Sequence, residues 1–205
     1  MNLSELIILL RTATTYEEIN IRRNEIATLL PVVSIMFDYD QNNSYHIYDL
    51  WEHSVRTVLE IPKDIKDDML FLAALLHDIG KPASRCSGKK PEDTQSHFYG
   101  HPQVSKRIIE EQVLPCLALP EEDAGRLLYY VECHDDHVGY KPKHIRKHYE
   151  KMSLNVFKNL LLLQMADAIT HNLEKEVIRE RYEVCQNLYN GKVEELYLWL
   201  ENEKK

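Results

Sequence analysis

The stretch LAALLHDIGKP, residues 72–82, sets His77 beside Asp78 at the end of a run of Leu and Ala. An ionised carboxylate taken out of water costs on the order of several kcal/mol even after the protein relaxes, unless a partner charge is supplied. Nothing in the local pattern supplies one. The same oddity recurs elsewhere: His53 follows DLWE on a helix with apolar neighbours, His134 ends the run LLYYVEC, and Asp167 interrupts LLLLQMADAI. His101 opens a helix between Gly100 and Pro102, where its ring can point back into a cleft. Met singly, each has an ordinary explanation, either a hydrogen-bonded core histidine or an Asp that caps a turn or pairs with an Arg. Taken together, these imidazole and carboxylate groups are all compensated if the helices converge and share divalent metal. Mixed imidazole and carboxylate ligation suits Mn, Fe, Ni, Co or Zn, as one or two ions, and not Ca, which takes oxygen alone.

The elements that must position these groups read as helices almost throughout. LSELIILLR is a first helix, and TYEEINIRRNEIATLLP a second that starts from a Thr cap and closes at Pro31. After the polar loop FDYDQNNS comes YHIYDLWEHSVRTVLEI, with Leu50, Ser54, Val55, Val58 and Leu59 as its inward stripe. KDDMLFLAALLHDIG is apolar all round, which places it in the middle of the molecule; Gly80 and Pro82 are its stop signals. Residues 83–100 form a long loop of the kind that is often functional. HPQVSKRIIEEQVLPCL, PEEDAGRLLYYVECHDD and LNVFKNLLLLQMADAITHN follow as helices, and a last long one kinks near Gly191. The basic segment KPKHIRKHYEK presents His144 and His148 on one face, expected to be solvated. Strand signals are nearly absent, so the expected fold is all-α, one domain over 1–205 with a core of about 45–172. The N-terminal helices, 2–30, and the C-terminal helix, 174–201, pack on that core.

At 205 residues and 44% apolar content the chain can bury a core without disulfides or a structural metal. Its four cysteines form no Cys-x-x-Cys pair, which reads as reduced thiols in a cytoplasmic protein. The N-terminus lacks a basic leader and a cleavage site, and no stretch is apolar for long enough to cross a membrane. The net charge of −8 gives no global field toward nucleic acid, so a small phosphorylated or nucleotide substrate held by metal is favoured over a polynucleotide.

The ordered set His53, His77-Asp78 and Asp167 resembles the signature of the HD-domain superfamily of metal-dependent phosphohydrolases. YHIYDLWEHSV, LAALLHDIGKP, HFYGHPQVSKRII, YYVECHD and LLLQMADA are most similar to the HD domain of bacterial tRNA nucleotidyltransferases and poly(A) polymerases, over about Tyr45 to Asn172. The resemblance implies a helical bundle with a central metal site. It further implies His53, His77, Asp78 and Asp167 as ligands of one ion, with His101 and His134 as the extra histidines of binuclear members. Asp78 would then be the bridge, and Lys81 a contact to the substrate phosphate. The implied activity is hydrolysis of a phosphomonoester or phosphodiester through a metal-activated water. His97 and His137 are candidates for substrate contact or general acid. The 44 residues before Tyr45 leave no room for a nucleotidyltransferase head, so nucleotide addition is not expected. HVGYKP resembles the HD-GYP class too faintly to carry weight.

Three further readings remain. One is a non-catalytic RNA- or nucleotide-binding module using KPKHIRKHYEK. Another is hydrolysis of a polyphosphorylated nucleotide over Lys81, Lys89 and Lys90. The third concerns assembly: Leu196, Tyr197, Trp199 and Leu200 can pack on the domain or on a second copy. His46 reads as a cap or packing residue, and His171, one turn after Asp167, as a neighbour of the site rather than a ligand.

Overall fold

A computed structural model describes residues 1–90 and 92–203. Among the described residues the fold is all-α, as expected, with one two-residue antiparallel ladder pairing β1 (Cys86–Ser87) with β2 (Ser96–His97) and an isolated bridge between His46 and His171. In chain order the helices are α1 (Leu3–Thr12), α2 (Tyr16–Asn20), α3 (Arg23–Leu29), α4 (Leu50–Glu60), α5 (Asp68–Leu76), α6 (Lys81–Ser84), α7 (His101–Ile108) and α8 (Leu114–Leu117). There follow α9 (Glu121–Cys133), α10 (Pro142–Lys151), α11 (Leu154–Thr170), α12 (Glu176–Asn187) and α13 (Val193–Glu203).

Helix α5 is buried on every side from Met69 to Leu76 and packs against α1, α4, α9 and α11. That follows from a helix with no polar face, whose surface can only be sheltered by other helices. Its start is fixed by Asp67, which caps Met69 N and accepts both Tyr130 Oη–H at 2.6 Å and Asn159 Nδ2–H at 3.2 Å. One carboxylate thus ties α5 to α9 and α11.

Several boundaries differ from the sequence reading. The expected second helix is two, broken at Ile21-Arg22, where Arg22 leaves helical dihedrals and Asn20 turns its side chain to Trp51 Nε1. Pro31 opens a 3₁₀ turn, Pro31–Met36, instead of ending the order. The helix from His101 widens over Ile109–Val113, because Pro115 lacks an amide and its ring crowds the carbonyl of Glu111. The kink at Gly191 is present, with φ 135°. Tyr197 and Leu200 bury in the domain, whereas Trp199 is 44% exposed.

Gly80 and Pro82 do other work than stopping α5. Pro82 lies in the first turn of α6. Gly80 has φ −81°, which any residue adopts, but a Cβ there would sit 2.4 Å from Ser105 N and 2.7 Å from His101 O. Its amide also donates to Ser105 Oγ at 2.8 Å. Gly80 is therefore the surface on which α7 docks, and docking delivers His101. Gly80→Ala should cost about 2–3 kcal/mol in urea unfolding through overpacking.

His148 overturns the expectation of a solvated face. It is fully buried, stacked on Phe157 with ring centroids 4.6 Å apart, and its Nδ1 lies 3.0 Å from Tyr129 Oη. Burial, aided by Lys147 and Lys151 and opposed by Asp136, pulls its pKa down from 6.5 to about 4. The unfolded chain then binds the extra proton between these values, so stability is complete above pH 6.5 and falls as pH drops toward 4. A fully buried imidazole with this shift contributes about 3 kcal/mol over that window. Urea unfolding of metal-free protein at pH 7 and pH 4.5 should show the loss, and His148→Phe should show a visibly flatter dependence.

Candidate metal centre

Five helices deliver the six side chains to one point. His53 comes from the inner face of α4, whose start is capped by Asp49 accepting Glu52 N–H at 2.8 Å. His77 and Asp78 follow α5, His101 opens α7, His134 follows α9, and Asp167 lies on α11. His53 Nε2 is 3.3 Å from Asp78 Oδ2 and 3.1 Å from Asp167 Oδ1, while His77 Nε2 is 3.2 Å and 3.4 Å from the same atoms. The other oxygen of Asp78 faces a second pair: Oδ1 is 3.0 Å from His101 Nε2 and 3.4 Å from His134 Nε2. Asp78 is thus common to two ligand sets, His53-His77-Asp78-Asp167 and Asp78-His101-His134.

The backbone assigns the tautomers. The Nδ1–H of His77, His101 and His134 can only donate to the carbonyls of Ala74, Phe98 and Val131, at 2.9, 2.9 and 2.7 Å. Thr170 donates to Asp167 O and leaves its oxygen 3.2 Å from His53 Nδ1, as acceptor. In the neutral imidazoles every Nε2 therefore presents a lone pair inward. Those lone pairs meet: His53 and His77 Nε2 are 3.3 Å apart, and His101 and His134 Nε2 3.1 Å apart. Facing lone pairs repel unless a proton or a cation lies between them.

The donor set fits a divalent transition metal. Nitrogens about 2.1 Å from a shared ion, at tetrahedral to octahedral angles, stand roughly 3.0–3.4 Å apart. Asp78 Oδ1 and Asp167 Oδ1 are buried and make no hydrogen bond. The electrostatics point the same way. Burial opposes charge on His77, yet the Asp78 and Asp167 carboxylates outweigh it and raise its pKa to about 10. Burial also opposes ionisation of Asp78 and Asp167, but their cationic partners hold both well below the usual carboxylate range. The pocket draws in positive charge.

This centre opens to a cleft of about 320 Å³ lined by Asn43, His46, Lys81, Phe98, Tyr99 and Arg181, among others. Lys81 is only 3% exposed; its Nζ sits 2.5 Å from Asp78 Oδ2 and 2.8 Å from Gln41 Oε1. The long loop forms one wall of the cleft. It is laced to the Asn-rich loop by Asn43 Nδ2–H to Ser96 O at 2.9 Å and Ser96 N–H to Asn42 O at 2.8 Å.

Two sequence candidates stay outside. His97 Nε2 is 2.7 Å from Asp93 Oδ2 on the β-ladder, and the exposed His137 faces His144 beside a neighbouring apolar cleft. Conversely, His46 and His171 stand at the site, His171 with Nδ1 2.7 Å from Asp167 O and with burial lowering its pKa to about 4. Arg181, on α12, was not anticipated. It donates to His134 O, pairs with Asp135 at 2.9 Å and approaches Asp167 Oδ2 at 3.6 Å, clamping both halves of the centre.

A helical bundle converging on shared His and Asp groups defines an all-α protein built around a buried cluster that could hold a metal. Consistent with that, the HD domain family matches residues 44–194, and the chain belongs to it. Two relatives carry the same likeness. The CC-adding tRNA nucleotidyltransferase of Thermus thermophilus is 27% identical over 168 residues, 77% of this chain and 36% of the relative. The A-adding tRNA nucleotidyltransferase of Deinococcus radiodurans is 34% identical over 92 residues, 44% of this chain and 20% of the relative. The chain therefore spans about a third or less of the length of these relatives. Among the described residues no helix is long and apolar enough to cross a membrane.

Proposed function

We propose that this chain is a metal-dependent phosphohydrolase that cleaves a phosphomonoester or phosphodiester of a nucleotide or related small substrate. The observation that carries it is Asp78, one carboxylate facing two imidazole pairs at the floor of a cleft that also holds Lys81 and Arg181. His53, His77, Asp78 and Asp167 would hold one ion, and Asp78, His101 and His134 a second. When bound, such ions offset phosphoryl charge and make water at the site a stronger nucleophile near neutral pH. Lys81 places an ammonium where a phosphoryl oxygen of the substrate enters, and Phe98 and Tyr99 cover that entrance. Arg181 keeps His134 and Asp167 in register. The reading takes Cys86, Cys116, Cys133 and Cys185 as free thiols of a cytoplasmic protein.

The test is metal content by plasma mass spectrometry, followed by assay of the loaded protein on p-nitrophenyl phosphate, its diester and a nucleotide panel. Metal-dependent hydrolysis lost in Asp167→Ala supports the reading. Loaded, folded protein that turns over none of these esters overturns it.

Two observations favour a second reading, a tRNA-binding module: the relatives act in tRNA nucleotide addition by name, and α10 exposes Lys143, Arg146, Lys147 and Lys151. Two of these are already engaged, Lys147 with Asp136 and Arg146 with Glu203. Filter binding of tRNA across a salt series decides it, since phosphate contacts predict a log–log slope of about −0.7 to −0.9 per contact.

A further inference from the structure

Away from the centre, on the far side of the turn that follows α9, a different donor set converges. Cys133, Asp136 and His148 place one ligand atom each within 4.8 Å of one another. Of these, His148 Nε2 is buried and makes no hydrogen bond, and it lies 3.8 Å from Asp136 Oδ2, which is ion-paired with Lys147. His148 is fully buried and Cys133 is 2% exposed, so solvent satisfies neither the imidazole nor the thiol.

The scaffold around the three is rigid. Gln164 on α11 donates to both Cys133 O, at 3.2 Å, and Asp136 O, at 3.0 Å, clamping the turn that carries two of the donors. Tyr129 and Phe157 fix the His148 ring. With Nδ1–H donating to Tyr129 Oη, Nε2 turns its lone pair toward Asp136 and Cys133. The charge now set against Asp136 is Lys147, whose side chain is half exposed and free to swing to solvent.

We propose that Cys133, Asp136 and His148 form a separate, thiolate-bearing site for a zinc-like divalent cation, distinct from the His/Asp centre. Thiolate, imidazole and carboxylate together suit Zn²⁺ or Co²⁺, with water completing four-coordination. On binding, the Cys133 S–H bond breaks, its proton leaves to solvent, and sulfur donates the freed pair to the metal. Lys147 gives up Asp136 to the ion. The role is structural: the ion would brace the turn that bears His134.

Cobalt distinguishes this site from the centre, because only a thiolate ligand gives a sulfur-to-cobalt charge-transfer band in the near ultraviolet, and the centre contains no sulfur. Full-length protein with Cys86→Ser and Cys116→Ser, which removes the exposed thiols, is titrated with Co²⁺ alone. The proposal expects the band to develop and saturate, to persist in Asp78→Asn, and to vanish in Cys133→Ser and in His148→Gln. X-ray absorption of the zinc-loaded Asp78→Asn protein should then show one sulfur at about 2.3 Å. No band in the parent, or a band that survives Cys133→Ser, overturns the proposal. Should Cys133→Ser misfold, a band surviving His148→Gln does the same, and the phosphohydrolase reading is untouched by either result.

Discussion

Asp78→Asn is expected to abolish hydrolysis, by about 10³-fold or more in kcat, and to empty the centre of metal. A drop of that size corresponds to roughly 4 kcal/mol of transition-state stabilisation. The argument rests on sharing. Each other candidate ligand belongs to only one of the two sets that meet at Asp78, so its loss weakens one ion, whereas Asp78 offers Oδ2 to His53 and His77 and Oδ1 to His101 and His134. Asn is chosen over Ala for a physical reason. Removing the carboxyl entirely would strand the buried Lys81 ammonium, at a cost of about 3–5 kcal/mol, while an amide oxygen can still accept from Lys81. Plasma mass spectrometry and a p-nitrophenyl ester assay read the two effects together. His101→Ala is the contrast: it should lower metal content by about half and spare the first set. Asp78→Asn protein that retains full metal and activity would show that the two imidazole pairs are structural.

The reach of the sequence is clearest on particular residues. His77, Asp78 and Asp167 are legible because a charged or polar group on an otherwise apolar helix demands a partner, and α5 and α11 are apolar enough to make the demand plain. Arg181 obeys the same rule and was still missed. Ile178 and Cys185 set the buried stripe of α12, and Arg181, three residues after Ile178 and four before Cys185, falls on that stripe. In a helix dense with charge, one inward Arg does not stand out. Gln164, three residues before Asp167, hides for a related reason, since an amide is a milder anomaly than a carboxylate.

Other features have no local signal at all. Gly80 looks like a helix stop, but it is required by an approach of α7 that only tertiary structure reveals. His97 lies in the long loop before FYGH and His137 in the loop after ECHD, and loops carry no rule for where a side chain points. His148 fails in the opposite direction: in the segment KPKHIRKHYEK the period marks Ile145 and His148 as inward, yet the surrounding basic residues mask it. The fold class was readable because helical periodicity repeats along nearly the whole chain, whereas the cleft depends on loop-to-loop hydrogen bonds such as Asn43 to Ser96.

Lys81→Met should lower kcat/KM by about 10²–10³-fold while leaving the metal content unchanged, which separates charge at the substrate from charge at the ligands. Without substrate, the Lys81 ammonium rests on Asp78 and Gln41 and is nearly cut off from water. A metal held by Asp78 would withdraw electron density from that carboxylate and loosen its hold on the ammonium, so Lys81 becomes available just where the cleft opens. A phosphoryl oxygen arriving there exchanges a weakened partner for a strong one, and in a partly desolvated site a charge-assisted contact of this kind is worth about 2.7–4 kcal/mol in the transition state. Met preserves the length and packing of the stem beside Phe98 while deleting the charge. Steady-state kinetics with metal analysis on the same preparations decides between roles. Loss of rate with full metal assigns Lys81 to the substrate. Loss of rate together with loss of metal assigns it instead to holding Asp78 in place, and unchanged rate removes it from the reaction altogether.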